Sequence, residues 1–194
     1  MAGEANAAEF EGDAYTRNVR AARGLDPSDR VTGGIVQPEP EKLRQNTTIY
    51  RFGDTSKDLD RDRFGRWWMA RETLEELARY AIDAESLVRI ARQHLAVPPG
   101  FNAMNRCFTA DLRATLRAFG GVGGLVFEDL PDAAPGGART VIWPGGAELT
   151  GRPADRTMKR QLFIPGLDRV PSSLAFRPVM TVTELVAAMR FGGG

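Results

Sequence analysis

The chain has 194 residues, 42% of them hydrophobic, so it is long enough for one domain with a real core, and wholesale disorder is excluded. Basic and acidic residues balance at 26 to 25, which argues against a dedicated nucleic-acid or polybasic membrane surface. With one cysteine (Cys107) and one histidine (His94), disulfide frameworks, His/Cys zinc sites and most histidine-dependent triads are excluded as well.

Only Lys42, Lys57 and Lys159 are lysines, leaving 26 − 3 = 23 arginines, a composition rich in fork-shaped donors. No apolar run approaches the ~20 residues of a membrane-spanning helix. The first residues lack the basic start and apolar centre of a secretory signal. The expectation is a soluble, cytoplasmic protein, with export by a route independent of a signal peptide still compatible.

In chain order, residues 1–45 carry six Lys/Arg and eight Asp/Glu, few large apolar residues and the stretch Gln37-Pro-Glu-Pro-Glu41. That composition predicts a mobile or disordered N-terminal arm, with a short helix near 14–23. The folded domain is expected to span 46–194. Thr47-Thr-Ile-Tyr-Arg-Phe52 reads as a strand closed by Gly53-Asp54, and Phe64-Gly-Arg-Trp-Trp-Met69 as a second, after a polar loop.

Helical spacing follows. Leu74, Leu77, Ala78 and Ala81 predict a helix over 71–81, and Leu87, Ile90, Ala91 and Leu95 one over 84–96, stopped by Pro98-Pro-Gly100. A third helix is expected over 109–119, with Gly120-Gly-Val-Gly-Gly124 as a flexible helix-to-strand turn. Short apolar segments at 124–128, 140–143, 161–165 and 174–180 read as strands, and Thr181-Val-Thr-Glu184 as a capping box opening a last helix over 184–189. The fold class is α+β: a single domain with a helical middle between short strands, plus the arm.

Several motifs invite chemistry. The glycine run has no following Lys-Ser/Thr and no preceding strand, so it does not fit a phosphate loop. Asp58, Asp60 and Asp62 alternate as in a calcium loop, but Arg63 and Met69 stand where such a loop needs Gly and Glu. His94 suits a helix C-terminus, and Cys107 beside Phe108 suits a buried, inert thiol. No metal site is expected. Glu128 and Glu148 are scattered carboxylates with little behind a hydrolase reading. Trp67-Trp68 is more informative: neighbours in a strand point to opposite faces, so one can enter the core while the other lines a groove, meets the helical middle or binds a partner, the alternative being core packing on both sides.

Three separated pieces carry a resemblance: Ile49-Tyr-Arg51-Phe-Gly53, Gly65-Arg-Trp-Trp-Met69 running into a helix, and Lys159-Arg-Gln161-Leu-Phe-Ile-Pro-Gly166. In order and spacing, over about residues 47–167, they resemble the ADP-ribosyltransferase fold of bacterial toxins and related NAD-consuming enzymes. The resemblance implies that Arg51 holds NAD phosphate and that Gly65, Trp67 and Trp68 border the nicotinamide. It further implies that Gln161 takes the place of the catalytic glutamate. The chain departs from that family in having Trp67-Trp68 where many members show Ser-Thr-Ser, and glutamine for glutamate at 161. NAD is then the substrate, and the reaction is ADP-ribose transfer, to a macromolecular acceptor, or NAD hydrolysis, in a toxin or effector. The alternative is a non-catalytic interaction or structural module that binds a protein partner through the Trp-lined groove and the arm.

Overall fold

A computed structural model describes residues 3–25, 34–131, 138–146 and 160–191. Ten strands and five α-helices are present among these residues. They are α1 (Gly12–Ala22), β1 (Glu39–Leu43), β2 (Thr48–Gly53), α2 (Leu59–Arg63), β3 (Trp67–Ala70), α3 (Arg71–Ala78) and α4 (Ala84–Leu95). Then come β4 (Arg106–Leu112), β5 (Leu116–Val122), β6 (Val126–Pro131), β7 (Ala138–Trp143), β8 (Arg160–Phe163), β9 (Leu174–Phe176), β10 (Met180–Thr181) and α5 (Val182–Phe191). The α+β class is as expected from the sequence.

Eight strands form one antiparallel sheet in the order β1-β5-β8-β3-β2-β4-β10, with β9 also pairing on β4. β6 and β7 form a separate two-stranded ribbon. The sheet is curled, and its connectivity requires this. β4 and β5 stand four strand spacings apart in the sheet order, or ~19 Å if flat. Yet only residues 113–115 join them, and the step from Leu112 to Leu116 spans at most ~14 Å. The inner face of the curl is filled by Ile49, Trp68, Phe108, Leu116, Leu162 and Ile164, all 3% exposed or less.

The outer face is covered in two parts. Helices α3, α4 and α5 pack Leu74, Leu77, Leu87, Leu95 and Leu185 onto Phe52, Met69 and Cys107. Both expected helices appear close to their predicted bounds. Asp83 and Ser86 form a capping box at the start of α4, and Ala96 ends it in the left-handed region at φ 48°. The capping box read at 181–184 is also present. The Glu184 carboxylate accepts from the Thr181 backbone N–H at 2.7 Å, and the Thr181 hydroxyl accepts from the Glu184 N–H at 3.2 Å.

Two expectations from the sequence are corrected. Residues 109–119 are not a helix but the end of β4, a short link and the start of β5. The helix-like pattern arises because both strands are covered on both faces, so apolar residues do not alternate with polar ones. The glycine run accordingly ends a strand rather than a helix. Gly123 makes a bridge to Ile35, and a Cβ there would stand 2.7 Å from the Gln161 amide nitrogen and 2.8 Å from the His94 carbonyl oxygen.

The second correction concerns the N-terminal arm. Residues 3–25 and 34–45 pack against the body, and β1 is a strand of the main sheet, paired with β5 from Glu39–Gly120 to Leu43–Leu116. Pro40 is accommodated because β1 lies at the sheet edge. Phe10 stacks on Phe119 with ring centroids 4.7 Å apart. The buried Asn6 side chain donates to the Arg117 and Pro165 carbonyls and accepts from the Arg117 N–H. A few anchors hold a mostly polar segment, so average composition misreads it. Residues 26–33 lie outside the described residues.

Replacing Phe10 with alanine removes a buried ring from this junction, so it is expected to lower stability by about 3 kcal/mol. Denaturant unfolding of Phe10→Ala against the parent checks this. An unchanged midpoint would mean that the segment does not pack on Phe119.

Candidate functional site

A cavity of about 340 Å³ opens on the outer face of the sheet, where the end of α4 and the loop that follows it meet β2, β3 and β8. Strand register decides which side chains reach it. Met69 pairs with Gln161, so both reach it from the outer face; Tyr50, paired with Met69, shares that face but lies outside this cavity. Trp67 and Phe163, two residues along from Met69 and Gln161, share the outer face too, with ring centroids 5.1 Å apart. The remaining walls include Phe52, Leu95, Phe101 and Met104, with Lys57 and Asn102 as polar members.

The two tryptophans separate as adjacent strand residues must. Trp68 is 2% exposed in the inner core, its indole N–H donating to the Gly65 carbonyl at 2.6 Å. Trp67 is half-buried and walls the cavity. Trp68 also borders the cavity, but its side chain belongs to the inner core cluster.

Gln161 is buried, and its side-chain nitrogen donates to the Leu95 carbonyl. A carbonyl can only accept, so this contact fixes the amide's orientation, with the nitrogen on Leu95 and the oxygen left as an acceptor. The close approach of Gly123 leaves room for no side chain there.

Arg51 borders the same cavity along its strand, but its side chain projects to the inner face with that of its register partner Phe108 and is firmly held there. Its Nε donates to the Asp62 carbonyl at 2.9 Å, Nη1 to the Trp67 carbonyl at 2.9 Å and Nη2 to the Asp62 carboxylate at 3.1 Å. Asp62 also accepts from Arg106 Nη2 at 2.9 Å and from the Asp54 backbone N–H at 2.8 Å. The result is a buried Arg51–Asp62–Arg106 triad, with Asp62 almost wholly enclosed. Burial pulls the Arg51 guanidinium below its ordinary pKa, and the Asp62 charge opposes that pull. Gly65 lies directly over it: a Cβ at this position would stand 2.3 Å from the guanidinium carbon. Gly65 is therefore a space-making residue for Arg51 rather than a wall of the cavity.

The alternating aspartates have separate structural tasks. Asp58 caps α2 by accepting from the Arg61 N–H at 2.8 Å, and Asp60 pairs with Arg63 at 3.0 Å. Among the described residues, no group of three or more His, Cys, Asp or Glu side chains could hold a metal ion. Burial pushes the Cys107 thiol up to about 12, so it is not a nucleophile at neutral pH. Glu128 accepts from the Gly100 N–H and the Trp143 indole, each at 3.0 Å, away from this cavity. Glu148 and Lys159 lie outside the described residues. No helix among the described residues is long and apolar enough to cross a membrane.

Lys57 and Asn102 are the polar wall residues that reading the sequence missed. Lys57 Nζ donates to the Phe101 carbonyl at 2.6 Å, and the Asn102 amide to the Phe52 carbonyl at 3.0 Å. Both sit in loops without a motif, and only the packing of those loops brings them to the strand ends. Beside them, Asp54 is held down to about 2, first by its hydrogen bonds from Ser56 and then by the Ala103 N–H. It thereby ties the 54–57 turn to the loop after α4.

Comparison with protein-family models and with curated protein sequences finds no match to the chain.

Two variants test this geometry. Asp62→Ala leaves two buried guanidiniums without their shared anion, and is expected to cost about 3–5 kcal/mol in denaturant unfolding; a loss below about 1 kcal/mol would mean that the triad is solvated. Gln161→Glu removes the donor to the Leu95 carbonyl and sets a carboxylate against it, at an expected cost of about 1–3 kcal/mol. Burial and the facing carbonyl raise the folded-state pKa of the new carboxyl. The protonated form is thus the tolerated one, and the loss should grow as pH rises above ~4.3. Unfolding at pH 5 and pH 8 checks the sign.

Proposed function

We propose that the chain is an NAD-consuming enzyme of the ADP-ribosyltransferase type, acting as a hydrolase of the nicotinamide–ribose bond. The supporting observation is that Arg51, Trp67 and Gln161, from three separate sequence motifs, border one cavity on three adjacent strands. A volume of about 340 Å³ suits a nicotinamide riboside unit rather than a whole dinucleotide, at the lower end of the usual ~300–1,000 Å³ for ligand sites.

In this reading nicotinamide lies against Trp67 among apolar walls, which exclude water from its face. The Gln161 side-chain oxygen accepts a hydrogen bond from a ribose hydroxyl. The pyrophosphate lies toward Lys57. Arg51 already uses three of its five N–H groups and projects to the inner face with its register partner Phe108, so its role is to hold the Trp67 strand in place. As the bond from ribose C1′ to nicotinamide nitrogen breaks, its electron pair leaves with neutral nicotinamide. Water attacks C1′ and loses a proton to solvent, giving ADP-ribose. A neutral amide stabilises the cationic ribosyl centre less than a carboxylate would. That favours water, present at high concentration, over a macromolecular acceptor.

The alternative, an interaction module, rests on the Trp-lined groove and a free arm. Residues 3–25 and 34–45 are packed, so one of its two elements is gone.

The test is incubation of the purified chain with NAD and chromatographic measurement of nicotinamide and ADP-ribose. Equal amounts of both are expected, with kcat/KM at least about tenfold lower for Trp67→Ala, equivalent to ~1.4 kcal/mol of lost binding. Lys57→Ala should raise KM with little change in kcat. Absence of product together with absence of NAD binding by calorimetry would overturn the proposal.

A further inference from the structure

A second, larger cavity of about 670 Å³ lies on the same outer face, between α3, α5 and the strands β2 and β4. Its character differs from the first. Leu74, Ala78, Met180, Leu185, Val186 and Met189 supply apolar walls. Four arginines (Arg71, Arg79, Arg177 and Arg190) line it against a single carboxylate, Glu75.

The polar floor comes from two adjacent strands. Tyr50 of β2 and Thr109 of β4 are register partners, so both side chains project from the same face of the sheet. Thr109 is 2% exposed, and its hydroxyl has no hydrogen-bond partner among the described residues. Such a buried, unpaired hydroxyl carries a desolvation cost that a ligand's polar group would remove. Tyr50, Arg71 and Arg177 line this cavity together; burial raises the Tyr50 phenol, and the two guanidiniums oppose that rise.

The arginines retain donors. Arg71 uses Nε on Glu75 at 2.6 Å, which leaves both terminal nitrogens available among the described residues. Arg177 pairs with Asp111 through Nε and Nη2 at 2.9 and 2.8 Å, and its backbone N–H donates to the Thr109 carbonyl at 2.9 Å. Arg190 reaches across to the Ala81 and Ile82 carbonyls, tying α5 to the α3–α4 connection and closing one end. The two methionines give that apolar wall a shape able to adjust.

The geometry points to a binding site for a small amphipathic anion: a carboxylate or phosphate head held by Arg71, Arg177 and the Tyr50 and Thr109 hydroxyls, with an apolar tail between α3 and α5. Guanidinium groups suit either head, since both offer paired oxygens. The volume matches that of ordinary small-molecule sites. This site is independent of the NAD reading, because it uses different residues and a different ligand class.

The test is calorimetric titration of the full chain with sodium octanoate, with octyl phosphate and uncharged 1-octanol as parallel ligands. One octanoate or octyl phosphate should bind per chain, and the tighter of the two identifies the head group. Octanol should bind at least about tenfold more weakly, the scale of a lost charge-assisted hydrogen bond. Thr109→Val keeps shape and removes the hydroxyl, and Arg71→Gln removes one exposed charge, so both should fold. Each is expected to weaken the anion by about fivefold or more. Equal binding of octanoate and octanol, unchanged affinity in both variants, or no binding of any of the three ligands would overturn the proposal. NAD turnover in Thr109→Val should equal that of the parent, which separates this site from the first.

Discussion

The short link between β4 and β5 is the constraint on which the rest of the molecule depends. Three residues cannot bridge the width of a flat sheet from β4 to β5, so the sheet must curl until those strands approach. A curled sheet has an inside, and Trp68, Phe108, Leu116 and Leu162 fill it with side chains. It also has a convex outside whose alternate residues are again apolar, and these need cover. Three helices and the N-terminal segment provide that cover, and both cavities lie on this outer face.

At one end of the curl the polar groups are handled by a single buried anion. Asp62 joins Arg51 of β2, Arg106 of β4 and the backbone of Asp54. Removing such a shared partner leaves charges buried and unpaired, which is why triads of this kind behave as units. Arg51 also grips the Trp67 carbonyl, so the triad sets the position of the strand that walls the first cavity. Close packing over Gly65 and Gly123 fixes the Arg51 side chain beneath the Trp67 strand and the Gln161 side chain in that cavity. One glycine lies over the Arg51 guanidinium and the other against the Gln161 amide.

The chemistry of the first cavity follows from what kind of groups these are. Its floor holds a neutral amide anchored on a carbonyl, not a carboxylate. Such a group orients a hydroxyl well and stabilises a positive centre only through its dipole. The second cavity has the opposite balance, with guanidiniums and hydroxyls around an apolar interior.

Much of the secondary structure was legible without coordinates. Local signals sufficed for β2, α3, α4 and the capped start of α5, because apolar spacing and caps act within a few residues. Arg51, Trp67 and Gln161 were legible as motifs and border one cavity. It was not legible that the Arg51 side chain would turn to the inner face and be engaged by Asp62. Other features depended on distant partners. Residues 109–119 carry a helix-like apolar pattern, yet form strands because both faces of β4 and β5 are covered. The N-terminal segment is polar on average, yet Asn6, Phe10 and Ile35 dock it through contacts more than eighty residues away in the chain. Lys57 and Asn102 reach the cavity only through loop packing. The amino-acid sequence by itself determined the local elements, whose energetics are set by near neighbours. The tertiary structure alone decided the curl, the docked N-terminus and the residues that share a cavity, because burial and charge pairing are contributed by residues remote in sequence.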